Sequence, residues 1–152
     1  MSADIRPARM SDIDTLLAIE DAVFEGDRLS RRSFLRHMDS KSASLLVAEL
    51  ESQVAGYALL FHRQGSRSAR LYSLAVAKPF TSRGIGRRLL EATEARACTL
   101  GRTVLTLEVR EDNKRAGQLY RQAGFREVAK IPDYYEDGAT ALRLHKALEK
   151  ER

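Results

Sequence analysis

Residues 80–90 read Phe80-Thr-Ser-Arg-Gly-Ile-Gly-Arg-Arg-Leu-Leu90 and join a predicted strand ending near Ala77 to an amphipathic helix. Glycines at 84 and 86 let the backbone approach a ligand closely, and the exposed N–H groups of the first helical turn point at whatever lies there. Such a site prefers anions. Arg83, Arg87 and Arg88 add positive charge, so a phosphate or pyrophosphate is the expected occupant.

Working back from this turn, Ala69–Val76 has strand character and Pro79 argues against its continuation. Val54–Phe61 is a plausible antiparallel partner of Ser44–Leu50 across the tight connection Glu51-Ser-Gln53. Ser30 is placed to cap a helix through Phe34, Leu35 and Met38. Before it, Ser11-Asp-Ile-Asp14 has capping-box spacing for a helix running to about Phe24, with Ile13, Leu16, Leu17, Ile19, Ala22 and Val23 as its apolar face. Ile5–Ala8 reads as a short edge strand.

Working forward, a helix over about 84–100 presents Ile85, Leu89, Leu90, Ala97 and Leu100 to the core and stops at Gly101. Val104–Val109 follows as a buried strand, parallel to the strand before the helix, because a crossover of this length returns the chain across the sheet. Asn113 is an N-cap for a helix carrying Ala116, Leu119, Tyr120 and Ala123 and ending at Gly124. Phe125–Ile131 and Ala139–Lys146 read as closing strands. The last of them either completes this sheet or adds to a partner's, which leaves monomer and homodimer open. The fold class is α/β, in the sense of an α+β mixed sheet of six or seven strands covered by helices.

The 152 residues are expected to form a single domain, 1–152, with no second unit required. Composition is that of a soluble globular chain, without a membrane-length apolar run; the absence of an apolar targeting segment makes a cytoplasmic location the expectation. The formal charge of +5 favours anionic ligands without defining them. Direct nucleic-acid binding is not expected: zinc spacing, a basic arm and a strand-borne aromatic pair are all missing. No metal is expected from His37, His62 and His145, whose spacing is irregular, or from the lone Cys98, read as packing rather than chemistry.

Two nucleotide-binding readings of the glycine turn fail. No Lys-Ser or Lys-Thr follows the glycines, as a P-loop requires, and the third glycine and following acidic residue of the dinucleotide fold are missing. The segment Thr81-Ser-Arg-Gly84-Ile-Gly86 instead resembles the Arg/Gln-x-x-Gly-x-Gly/Ala motif of the GCN5-related N-acetyltransferases. Leu107-Glu-Val-Arg-Glu-Asp-Asn113, Leu119-Tyr120 and Gly124-Phe125 extend the similarity, which is closest in motif to the bacterial ribosomal-protein alanine N-acetyltransferases. Thr81 departs from the family Arg or Gln.

The resemblance implies acetyl-CoA as cofactor, with CoA as product, on a central parallel pair of strands that splays, flanked by about four helices. It implies that the N–H groups of Arg83, Gly84, Ile85, Gly86, Arg87 and Arg88 hold the pyrophosphate. Leu74, Ala75 and Val76 would pair with the pantetheine arm, and Asn113 would combine capping with a contact to that arm. Transfer from a thioester needs a base for the amine and a proton donor for the sulfur. Glu108 is the candidate base, or else an ion-pair partner for an arginine. Tyr120 is the candidate acid, or else an aromatic packed under the cofactor. Tyr134 and Tyr135 resemble an aromatic pair that shapes a peptide entrance, or they brace a strand end.

The expected reaction is direct transfer of acetyl to a primary amine within a ternary complex. The acceptor is a protein or peptide N-terminus, a ribosomal protein among the candidates, since an α-amine of pKa about 8 asks less of a carboxylate base than lysine at about 10.4. The alternatives are a small amine (polyamine, amino acid or aminoglycoside) and a non-catalytic acyl-CoA-binding module.

Overall fold

The computed structural model describes residues 2–149. Seven strands, β1 (Asp4–Pro7), β2 (Ala43–Leu50), β3 (Gln53–Phe61), β4 (Ser68–Val76), β5 (Val104–Arg110), β6 (Arg126–Ile131) and β7 (Ala141–Ala147), form one sheet in the order β1-β2-β3-β4-β5-β7-β6. Four helices join them: α1 (Ile13–Val23), α2 (Arg31–Asp39), α3 (Ile85–Thr99) and α4 (Lys114–Gln122). The architecture is therefore the mixed sheet anticipated from the sequence, with α3 as the crossover between the parallel pair β4 and β5.

Two apolar layers sandwich the sheet. On one face Ile85, Leu89, Leu90 and Ala97 of α3 and Tyr120 of α4 pack on Leu71, Leu105, Leu107 and Leu144. On the other, Ile13, Leu16 and Ile19 of α1 and Phe34 of α2 pack on Val47, Tyr57, Leu59 and Ala75. Gly56 brings α3 close to the sheet: a Cβ there would lie 2.6 Å from the Ala75 carbonyl oxygen and 3.2 Å from Leu89 Cδ1.

Several local expectations shift. The cap at the start of α1 is not the Ser11/Asp14 box; a 3₁₀ turn, Met10–Asp12, precedes the helix, and the Asp12 carboxylate accepts the Arg9 N–H at 2.7 Å while pairing with Arg6. Burial and the Arg6 guanidinium act in opposite senses on Asp12, and the hydrogen bond from Arg6 dominates, holding its pKa below the usual carboxylate value. Ala22 and Val23 are exposed, whereas Glu20, absent from the expected apolar face, is buried on it. The caps at Ser30 and Asn113 form as anticipated, accepting from Ser33 N and Ala116 N. The last strand completes the chain's own sheet, between β5 and β6, and leaves β6 at the edge. Among the described residues no helix is long and apolar enough to cross a membrane.

Candidate active site

β4 and β5 are paired only from Ser68/Val104 to Leu71/Leu107, although both strands run on, to Val76 and Arg110. The cause is a bulge. Leu59 of β3 faces Ser73 and Leu60 faces Leu71, so Tyr72 is an extra residue in β4. A bulge bends its strand and re-aims the side chains beside it. Here β4 stays on β3 through Val76 and leaves β5, opening a crevice whose β4 wall carries backbone groups without a strand partner.

At the mouth of this crevice lies the glycine turn. Gly84 caps α3 with φ +75°, and a Cβ there would meet nothing within 4 Å, so the residue is set by backbone conformation rather than space. The first intrahelical bond runs from Arg88 N to the Gly84 carbonyl, and the N–H groups of Ile85, Gly86 and Arg87 have no backbone partner among the described residues. Gly86 sits over Leu74, Val76 and Leu119, so a side chain there would fill the passage between α3, α4 and β4. This donor set and passage fit a diphosphate with an extended arm.

The remaining expected cofactor residues are distributed around this turn. Leu74 and Val76 pack toward α3 and α4, while the Ala75 side chain is buried on the opposite face and leaves only its main chain at the crevice. Arg83 lies over the Phe80 ring, and Arg87 is exposed. Arg88 donates to the Ala3 carbonyl at 2.7 Å, which turns its guanidinium toward β1. Thr81 braces the turn by donating to the Lys78 carbonyl. Asn113 caps α4, and Arg115 of that helix donates to Ser82 in the glycine loop.

Glu108 is the first residue of β5 beyond the paired region. Its side chain is 7% exposed and ion-paired to both Arg70 and Arg143. Oε1 lies 2.8 Å from Arg70 Nε and 2.7 Å from Arg70 Nη2; Oε2 accepts Arg143 Nε at 2.9 Å. Each carboxylate oxygen thus accepts one hydrogen bond and has two acceptor directions; Oε1 is further crowded by Arg70 Nη2, whereas Oε2 retains an open one. Arg70 also donates to the Tyr134 hydroxyl at 2.9 Å, tying the β6–β7 loop to the crevice.

Tyr120 is buried edge-on to Phe125. Burial first, then the neighbouring Tyr135, raises its pKa far above that of an ordinary phenol, so it is protonated and available only as a donor or neutral acceptor. Among the described residues its hydroxyl makes no hydrogen bond, and no sealed side-chain polar atom lacks a partner, so the phenol oxygen keeps some exposure. Tyr135, T-stacked on Tyr134, is pushed up to about 12 by burial, with Tyr134 and Glu108 adding to the shift; it thus stands electrostatically beside both Glu108 and Tyr120.

A second polar group behind the crevice has little sequence signal. Glu20 on α1 accepts the Leu29 N–H at 2.7 Å and the Tyr57 hydroxyl, which also contacts Ser73 Oγ at 2.9 Å. The bulge makes this possible by turning Ser73 to the α1 side, next to Tyr72. Only the position of Glu20 on the apolar stripe, one turn beyond Leu16 and Leu17, marks it in the sequence. Arg70 and Arg143 were also missed, because what pairs with Glu108 depends on strand register.

Burial raises the Glu20 pKa to about 6 against an ordinary 4.5, with the Leu29 N–H opposing. The folded state therefore favours the neutral acid. Its contribution is fully present below pH 4.5 and is lost as pH rises through 6. Relative to Glu20→Gln, the wild-type protein is expected to lose about 1–2 kcal/mol of stability between pH 4.5 and pH 7. Urea melts of both proteins at the two pH values measure this; a pH-independent difference would refute it.

Residues 12–125 match the Acetyltransferase (GNAT) family. The chain is 32% identical over 151 residues to an N-alpha-acetyltransferase of Sulfolobus acidocaldarius, covering 92% of this chain and 89% of that one. The crystal structure of a ribosomal-protein-alanine N-acetyltransferase from Brucella melitensis is 29% identical, with a TM-score of 0.83 over 95% of this chain and 99% of that one. Ard1 from Thermoplasma volcanium shares the fold, at a TM-score of 0.89 and 24% identity over 99% of this chain and 100% of that one. Archaeal N-terminal acetyltransferases and bacterial ribosomal-alanine acetyltransferases are thus both homologous, and neither group stands out as nearer. With the crevice, the glycine turn and these relationships together, the chain belongs to the GNAT family and is an acetyl-CoA-dependent acetyltransferase.

Proposed function

We propose that the acceptor is the N-terminal α-amine of a protein or peptide. The observation that carries this is the charge around Glu108: the carboxylate is flanked by Arg70 and Arg143 where the crevice begins, and a polyamine or aminoglycoside would meet cations there rather than an acidic pocket. A peptide brings a single amine, of lower pKa than lysine. The aromatic side chains of Tyr134 and Tyr135 and the α1–α2 loop border its path; Gly26 of that loop lies against Glu136.

When bound, acetyl-CoA supplies an activated thioester carbonyl. The donors of Ile85, Gly86 and Arg87 would hold the diphosphate, and the unpaired edge of β4 along Leu74–Val76 would align the pantetheine amides. Glu108 takes the proton of the attacking amine on the remaining acceptor direction of Oε2, directly or through one water. The Tyr120 hydroxyl would supply a proton to the departing sulfur as the amine replaces it on the acetyl carbon. No covalent enzyme intermediate is required. Support comes from the position of Glu108 where the strands part, from the protonated state of the Tyr120 phenol and from relatives named for N-terminal and ribosomal-alanine acetylation.

The test is a comparison of kcat/KM for peptides beginning with alanine, serine and methionine, for the same peptides with blocked N-termini and an internal lysine, and for spermidine. The expected result is that at least one open-ended peptide exceeds both other classes by about 100-fold or more. Turnover of spermidine or of blocked peptides at comparable efficiency would overturn the assignment.

A further inference from the structure

The ion pairs of Glu108 are unbalanced. One carboxylate faces two guanidiniums, leaving an excess positive charge where a protonated amine must first arrive. The other charges nearby do not cancel it. Arg110 is matched by Asp112 and Asp137, Glu20 is enclosed by Tyr57 and Leu29, and Asp27 of the α1–α2 loop acts on Tyr135 and makes no ion pair with Arg70 or Arg143. Both unbalanced arginines are accessible, with side chains 40% and 42% exposed.

Their donors are also incompletely used. Arg70 spends Nε and Nη2 on Glu108 and Tyr134 and lies over the Tyr72 ring. Arg143 spends only Nε, and its two terminal nitrogens have no hydrogen-bond partner among the described residues. A guanidinium held at Nε, with its Nη1/Nη2 edge turned outward, is a preformed two-donor site for a second carboxylate. That edge lies one guanidinium away from Glu108 Oε2, the oxygen with an acceptor direction remaining.

We infer that Arg143 selects acceptors whose first residue is Asp or Glu, pairing with that side chain while the α-amine lies at Glu108 Oε2. This rests on the peptide N-terminus reading above. The side-chain carboxylate of a first-position Asp or Glu is two or three bonds from the Cα that bears the amine, which suits two sites separated by one guanidinium. A second-position side chain of an extended peptide points to the opposite side. The acceptor's carboxylate restores charge balance in the cluster and draws Arg143 outward from Oε2, leaving that oxygen more open to the amine proton. Arg143 is a specificity residue for the acceptor, and the proton still passes from amine to Glu108.

The experiment uses peptides identical except for Asp or Asn in first position, and a second pair with Ala first and Asp or Asn second. Binding is measured by calorimetry against protein saturated with CoA, and kcat/KM with acetyl-CoA, for wild type, Arg143→Gln and Arg143→Lys. Wild type is expected to prefer first-position Asp over Asn by at least about 10-fold in both measurements, largely through Kd and KM, with the preference weakening as salt is raised. In Arg143→Gln the ratio falls to within about threefold of unity, and Arg143→Lys recovers part of it. Equal treatment of Asp and Asn by wild type, an equal effect in second position, or a preference that survives in Arg143→Gln overturns the inference while leaving N-terminal acetylation standing. Failure to acetylate any open-ended peptide, with spermidine or lysine accepted instead, removes the peptide reading and this inference with it.

Discussion

Replacing Glu108 by Gln is expected to lower kcat by about 10²–10³-fold while the Kd for CoA stays within about threefold of wild type. The amide keeps nearly the same shape but cannot take the amine's proton, and its NH₂ group, in place of an acceptor oxygen, faces an arginine donor. Some stability is lost with the ion pairs, so the measurement pairs single-turnover rates with calorimetry on CoA; the diphosphate site at the other end of the crevice reports that the fold is intact. Tyr120→Phe removes the sulfur's proton donor with the ring packing against Phe125 retained, and a smaller fall, about 10- to 100-fold, is expected. The two losses have different pH signatures. Activity of Tyr120→Phe should recover with leaving groups that need no proton, whereas Glu108→Gln should recover with pH as the neutral amine becomes more abundant. Unchanged kcat in Glu108→Gln would return that residue to a purely structural ion-pair role.

Gly84→Val is expected to weaken CoA binding by about 10- to 100-fold. At φ +75° a β-branched residue is strained by about 1–3 kcal/mol, and the cheapest relief is rotation of the backbone that aims the N–H groups of Ile85, Gly86 and Arg87. Space is not the issue, because an added Cβ would meet nothing within 4 Å. Gly65 provides the control: it has φ +81° with equally open surroundings, but it lies in the β3–β4 loop away from α3. Gly65→Val should cost comparable stability and leave CoA affinity unchanged. Equal Kd values for wild type and Gly84→Val would show that the main-chain cradle does not hold the diphosphate.

Most of the architecture was legible because each element carried its own local signal. Ser30 and Asn113 cap helices by hydrogen bonds made within three residues, and Gly101 and Gly124, both with positive φ, end helices where they were expected. Glu51 and Ser52 both adopt positive φ and close the β2–β3 hairpin, a twist that a two-residue turn imposes. The errors arose where two local signals competed. Asp12, not Ser11, tied down the start of α1 because Arg6, on a neighbouring strand, also held it.

The active-site reading divides along the same line. Gly84 was readable, since the demand on it is conformational and local, whereas Gly86 is constrained by Leu74, Val76 and Leu119 of neighbouring elements. Glu108 stood out as a charge in an apolar strand, but its partners did not. Arg143 faces it only because β7 lies against β5 in a register that sets residue 108 opposite 143, and Arg70 only because the parallel pairing ends one residue earlier.

Read alone, then, the chain specified helices, strands and the glycine turn that opens α3, because periodicity, caps and glycines act over a few residues, while the expectation of acyltransfer came from the family resemblance of its motifs. Tertiary structure alone decided that Tyr72 bulges and β4 leaves β5, that β7 inserts between β5 and β6, and that one carboxylate meets two arginines. Those outcomes depend on pairings between residues 16 to 64 positions apart, whose register follows from packing the whole sheet between its two helical layers rather than from any short stretch of sequence.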